Sequence, residues 1–326
     1  MPLLSLCLAF LTPLDPAPTT LTRKFVLREK LAYNVNSHIT PEVRMKGLET
    51  FIPQDLDIDY GFNYTVEALK ADGIAAVRFQ QPSLTETRGE TSTSLPQAKT
   101  EKSDKVYQMT VSPINELLDA KDVTPPKPSK KKPKTNAMAY WTAPGGAVQS
   151  PIFGDYVSEM HRLALFVGNL TFSPSLPLEA VKIGDTWKRT VSYQPQKLKG
   201  KKGSAVQRLD YTYVYQGPMK VDGKPVVRIQ AKLDLNTDLG DYLRTLMAEY
   251  GMDEKQTNIK SMPLHMKATI DFDLDPATRM TLAANAISEG GFEINIKDES
   301  DAVYEERFKG RTALALVGRK VVAGKP

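Results

Sequence analysis

DLDIDYG, residues 55–61, sets Asp55, Asp57 and Asp59 at alternate positions, and DFDLD at 271–275 repeats the spacing with Asp271, Asp273 and Asp275. A calcium loop begins with acids at positions one, three and five, but it then needs glycine at six and glutamate at twelve. Tyr60 and Val66 stand there instead. Acids alternating with Leu, Ile or Phe describe the wet face of an amphipathic strand. His38, His161 and His265 lack the spacing that convergent zinc donors require. No GxSxG or SxxK prepares a serine as a nucleophile. GKKGSA (200–205) lacks the spacing of a phosphate loop and reads as a flexible hairpin tip. Tyr33, Tyr60, Tyr64, Tyr211, Tyr213 and Tyr215 suggest a stacking platform for sugars or bases, yet at strand spacing they read as cross-strand packing. The expectation is therefore a chain with no catalytic, cofactor-binding or metal site and no cofactor.

The elements that would position these residues are legible from a repeated phrase. DGIAAVRFQ (72–80) returns as DGKPVVRIQ (222–230) with five of nine positions identical. Upstream stand DYGFNYTVEALKA (59–71) and DYTYVYQGPMKV (210–221), in which aromatic and aliphatic residues alternate with polar ones, the period of a strand with one buried face. Asp-Gly then suits a two-residue turn with both residues at positive φ. VYQMTVSPINELLDA (106–120) aligns without gaps to TIDFDLDPATRMTLA (269–283), a second hairpin turning at Ser-Pro or Asp-Pro, and LREKLAYNV (27–35) matches IGDTWKRTV (183–191) more loosely. The spacing predicts a mainly β fold of two internally duplicated antiparallel meanders. Residues 82–104 lack periodicity and read as a mobile loop. In the second half the corresponding place holds TDLGDYLRTLMAEYG (237–251), with Leu239, Tyr242, Leu243, Leu246, Met247 and Tyr250 on one stripe, predicting a helix over about 238–250 capped by Thr237 or Asp238 and stopped at Gly251. This helix is expected to lie flat on the sheet; the alternative is a gap beneath it for an acyl chain. A further helix is expected over about 151–167.

Composition places charge and compartment. The 326 residues carry a net charge of +5, and residues 121–136, with six lysines and one aspartate, account for all of it. The basic pI thus belongs to a Pro/Lys-rich linker, not to a folded nucleic-acid face. Leu3 to Leu11 is an apolar run too short for a bilayer, which needs about 20 residues, but fitting the core of a signal peptide. The sole cysteine, Cys7, lies within it. The expected organisation is a signal peptide at 1–20, an N-terminal meander at 21–120, a linker at 121–150, and a helix plus meander at 151–326.

LPLEAVKIGDTW (176–187), an LPxxxVKxGDTW strand entry, together with FDLDPATRM (272–280), resembles a domain of unknown function in uncharacterised exported bacterial proteins. The resemblance covers about residues 170–300 and implies export and a β-rich fold, without naming an activity or any site residue. The function expected is that of an exported envelope protein of the periplasm or cell surface, a non-catalytic binding or structural module with an envelope partner. The alternatives are a hydrolase with its site between the halves, or a carrier of an apolar ligand such as a lipid.

Overall fold

The computed structural model describes residues 17–89, 97–102, 104, 106–125, 173–193, 201–249 and 258–322. Their strands run in chain order: β1 Glu29–Met45, β2 Ile52–Pro53, β3 Leu56–Leu69, β4 Ala75–Arg88, β5 Gln97–Lys102, β6 Val106–Val111, β7 Leu117–Asp122, β8 Thr186–Tyr193, β9 Gln207–Val221, β10 Lys224–Asp238, β11 Ile259–Ser261, β12 Pro263–Leu274, β13 Thr281–Ile296 and β14 Tyr304–Val321. One helix, α1, spans Gly240–Glu249. The expected β class holds. All described strands join one antiparallel sheet, whose continuous path is β7-β6-β4-β3-β1-β14-β13-β12-β10-β9-β8. The first and last described strands, β1 and β14, pair along their whole length from Glu29↔Val321 to Met45↔Tyr304, which fuses the halves into a single sheet.

The Asp-Gly phrases close the β3–β4 and β9–β10 hairpins, but by different turns. At the second, Asp222 (φ 49) and Gly223 (φ 75) sit between paired Val221 and Lys224, the expected two-residue turn. At the first only Gly73 (φ 80) is left-handed, and Lys70 N–H bonds to Ile74 O across a three-residue loop. The Ser-Pro and Asp-Pro segments also close hairpins, β6–β7 and β12–β13, with Asn115 and Arg279 taking the left-handed position.

Three sequence expectations need correction. Residues 82–104 are not a loop throughout: β4 continues to Arg88 and pairs with β5 from Ser83↔Lys102 to Arg88↔Gln97. Gln81 and Pro82 form a bulge opposite Phe62, where β4 changes partner from β6 to β5, so the proline's missing N–H falls where no ladder bond is needed. Glu86, Arg88 and Thr85 put polar atoms on both faces, which hides the strand from an apolar-alternation test. The stretch expected as a linker from residue 121 is strand at its first two residues, since β7 runs to Asp122, and from 126 on it lies outside the described residues. And 201–205 is not a free tip: Gly203–Ala205 forms one 3-10 turn docked on α1, with Ala205 fully buried, Ser204 Oγ 3.2 Å from Thr245 Oγ1, and Lys201 paired to Glu249. The helix expected at 151–167, His161, and residues 1–16 of the leader lie outside the described residues.

The expected helix is present, and it lies flat. Asp238 Oδ1 accepts the Gly240 N–H at 2.7 Å and the Met262 N–H at 2.8 Å, tying the helix entry to the start of β12. Leu239, Tyr242, Leu243, Leu246 and Met247 are buried against Ile259, Met262, Leu264, Phe292 and Ile294. Side chains therefore fill the space beneath the helix, where the alternative had set a ligand groove.

Candidate functional site

The sheet is rolled, and backbone bonds at one end show how far. Consecutive residues Arg23 and Lys24 donate their N–H groups to Pro113 O in the β6–β7 turn and to Thr278 O in the β12–β13 turn, both at 2.8 Å. On a flat sheet β6 and β13 would stand five strand spacings apart, roughly 24 Å. A second clasp reaches further. Leu176 N–H bonds to Ile114 O at 2.9 Å, and one residue away Ser175 O accepts the Trp187 Nε1–H at 2.8 Å. Trp187 lies on β8 and Ile114 beside β6, nine spacings apart on a flat sheet, roughly 43 Å. The two edges of the sheet are thus drawn together at this end by residues 17–24 and 173–181, which also bridge one another at Thr19↔Val181.

Rolling turns one face of every strand into an interior, and register shows what lines it. One row across the strands reads Arg189, Tyr211, Leu233, Ala268, Ser288, Gly310, Ile39, Leu56 and Arg88. The next reads Trp187, Tyr213, Ala231, Ile270, Ala286, Thr312, Ser37, Ile58 and Glu86. Small side chains occupy the middle strands and aromatic ones the flanks. On one flank Trp187 stacks on Tyr213 at 5.5 Å, with Tyr211 at 6.0 Å from Tyr213; on the other Tyr33 stacks on Phe62 at 4.9 Å. The tyrosine set read as cross-strand packing is therefore brought together, as interior walls. Tyr33, Tyr60, Tyr211, Tyr213 and Tyr215 are buried in one apolar cluster and Tyr64 packs against it. Burial pushes the hydroxyls of Tyr33, Tyr60, Tyr64 and Tyr211 well above the ordinary phenol range and raises that of Tyr213.

Interior polar groups mostly have partners. Tyr33 donates to Thr281 O at 2.9 Å, Ser37 and Thr312 hydroxyls meet at 2.8 Å, and Tyr213 faces Ser175 without good hydrogen-bond geometry. Tyr211, like Tyr213, is fully buried with a hydroxyl that makes no hydrogen bond. At the clasped end Glu29, fully buried, accepts from Arg319 Nε at 2.8 Å and faces Arg23 at 3.6 Å. Arg23 lies over the Phe25 ring, and desolvation lowers the pKa of its guanidinium.

The acidic runs stand elsewhere. Asp57 and Asp59 face outward on β3, bonding His38 at 2.7 Å and Asn36 at 2.5 Å. Asp271 accepts from Gln230, and Asp273, on the same outer face, is buried rather than wet because Arg228 covers it with a two-pronged bond at 2.7 and 2.9 Å. Asp275 lies in the β12–β13 turn and accepts from Ala277 N, Thr278 N and Thr278 Oγ1. Among the described residues no group of three or more His, Cys, Asp or Glu converges as a metal would require. His265 stands exposed on the outer face of β12. Sequence reasoning missed the interior floor, because Ala, Ser and Gly carry no pattern until β13 and β14 are set side by side.

No protein-family model matches this chain, and no curated protein matches it. Among solved structures it is similar to one of lipovitellin, described for its lipid–protein interactions, at TM-score 0.42 and 12% identity, over 93% of this chain and 26% of that one. The chain therefore spans about a quarter of the length of that protein. It is also similar to a DUF1329 family protein from Desulfovibrio piger (TM-score 0.18, 9% identity, 90% and 87% covered). DynF from the dynemicin biosynthesis pathway of Micromonospora chersina matches at TM-score 0.21 and 7% identity, with 92% and 86% covered. No described helix is long and apolar enough to cross a membrane.

Proposed function

We propose that this chain is an exported, non-catalytic binding protein of the cell envelope that encloses an elongated apolar ligand carrying one polar group. The observation that carries the reading is the pair of buried hydroxyls of Tyr211 and Tyr213, neither with a hydrogen-bond partner, in the largely apolar cluster that lines the interior. Leaving such a group unbonded costs about 1–3 kcal/mol, and a ligand's polar atom removes that cost. The width of the roll supports the same reading. Eight strands enclose an interior that their own side chains just fill, whereas this path has eleven, with Ala268, Ala286, Ser288 and Gly310 on its middle strands. Export rests on the apolar leader and the LPxxxVKxGDTW resemblance, and the duplicated halves are the simplest origin for the matched hairpins. The hydrolase reading is weaker, because the halves meet in the continuous β1–β14 ladder rather than across a cleft.

Native mass spectrometry of gently purified protein, with lipid extraction, tests this directly. A stoichiometric apolar adduct is expected, and Ser288→Trp, which fills the floor, should abolish it while the far-ultraviolet circular dichroism stays unchanged. Tyr211→Phe should raise the stability of ligand-free protein by about 1 kcal/mol and weaken ligand retention roughly five-fold. Wild-type protein recovered without any adduct, and taking up no fluorescent fatty-acid probe, would sink the proposal.

A further inference from the structure

We propose that the clasped end of the roll docks on an anionic lipid surface through the corner formed by β3, β1 and β14. The proposal does not depend on what the interior holds. Leu27, Leu69, Val321 and Val322 protrude there at 44%, 40%, 53% and 36% exposure, and Val317 stands outward at 57% just behind them. These residues are neighbours: Arg28 N–H bonds to Val66 O, Val322 N–H bonds to Arg28 O, and Glu29 pairs with Val321. Three of the apolar protrusions are flanked in sequence by a cation, as Leu27-Arg28, Leu69-Lys70 and Lys320-Val321. Lys24, Arg28, Lys30, Lys70 and Lys320 are all exposed at this corner. The neighbouring acids are engaged: Glu29 is buried against Arg319, Glu67 holds Arg78, and Asp72 bonds the Ile74 N–H within its turn.

Backbone geometry at the corner points the same way. Val26 to Glu29 is a tight turn closed by Glu29 N–H to Val26 O, with Leu27 and Arg28 at its apex. Arg28 takes φ 64, a conformation that glycine adopts freely and arginine does not. An arginine held at the apex of a turn that glycine would make more easily indicates that its charge is used there. A protein partner is the less suitable occupant, since protein interfaces are depleted in lysine and favour large aromatic anchors on flat surfaces. Short aliphatic protrusions ringed by lysine and arginine fit a bilayer interface. There the aliphatic groups enter the acyl boundary while the long cationic stems reach back to the headgroups.

Vesicle flotation of the full chain tests the surface. Vesicles of phosphatidylcholine with about a third phosphatidylserine should bind at low salt at least ten-fold better than phosphatidylcholine alone, and the advantage should shrink as salt rises. Lys70→Gln with Lys320→Gln should lower binding roughly 25-fold, about five-fold for each charge. Leu69→Ser with Val322→Ser should lower it about ten-fold. Because a paired variant can fail to fold, Leu69→Trp supplies a second readout: its fluorescence should be quenched by brominated lipid. Absence of binding to the anionic vesicles, binding unchanged in both paired variants with melting temperature preserved, or a Trp that brominated lipid leaves unquenched would each overturn the proposal. So would capture of an envelope protein at this corner by a chain that ignores pure vesicles.

Discussion

Asp275 shows how a residue singled out for one kind of chemistry serves another. Partial burial acts to raise its pKa, but the Thr278 amide and hydroxyl and the Ala277 amide outweigh that, so the carboxyl titrates below its usual range. A depressed carboxylate contributes stability above its unfolded pKa of about 3.9, and this is lost as pH falls through the lower folded value. Asp275→Asn should therefore cost about 1 kcal/mol near neutrality, kept small because solvent still reaches the group, and the difference from wild type should shrink as pH falls below the ordinary carboxylate range. Urea titrations of both proteins across that range provide the check. Gly223 offers a sharper case, since a valine at φ 75 is strained whatever the space around it. Gly223→Val should destabilise by roughly 1–3 kcal/mol. At this scale the sequence was readable wherever a residue's role was local. Asp-Gly and Asp-Pro turns declare themselves because turn chemistry depends on the next few residues. Nothing local separates Tyr211 and Tyr213 from Tyr215, and only the rolled sheet buries the first two hydroxyls without a hydrogen-bond partner.

Among the elements, legibility followed amphipathicity. β3, β9, β10 and β12 alternate apolar and polar side chains and could be read directly, as could α1 with its single stripe. β5 and the second half of β4 could not, because Glu86, Arg88, Lys99 and Thr100 carry charge or hydroxyl on either face. They are strands because β3 offers β4 a ladder from Leu69↔Ala75 to Leu56↔Arg88, interrupted only by two register shifts, and tertiary pairing overrides weak local preference. The helix shows the reverse balance, with stripe, cap and burial in agreement. Leu243 is 1% exposed within the α1 cluster, so Leu243→Ala should cost about 2–5 kcal/mol. If that figure came out below about 1 kcal/mol in denaturant unfolding, the helix would not be packed flat on β12 and β13.

For the molecule as a whole, what mattered most was the way its two halves are joined. The sequence reads as two meanders separated by a basic spacer, a pattern that fits one sheet or two domains equally. The β1–β14 ladder joins them in one sheet, since seventeen residues of β1 find partners in β14 and the apolar cluster includes interior residues from both halves. Neither half can lose its β1 or β14 edge without exposing the other's interior. Unfolding should accordingly be a single cooperative transition, with tyrosine fluorescence and far-ultraviolet circular dichroism tracing the same curve in urea. The clasp makes a second demand. Leu176 is fully buried, and its N–H bond to Ile114 O, one residue from the Ser175–Trp187 contact, holds opposite edges of the sheet together. Leu176→Ala should lower the midpoint by an amount equivalent to about 2–5 kcal/mol. In hydrogen exchange it should first release β7 and β8, the two edge strands, while β1 and β14 stay protected to the global limit. Two separated transitions, or equal loosening of centre and edges, would show that the halves are independent and that the roll is not what holds the interior closed.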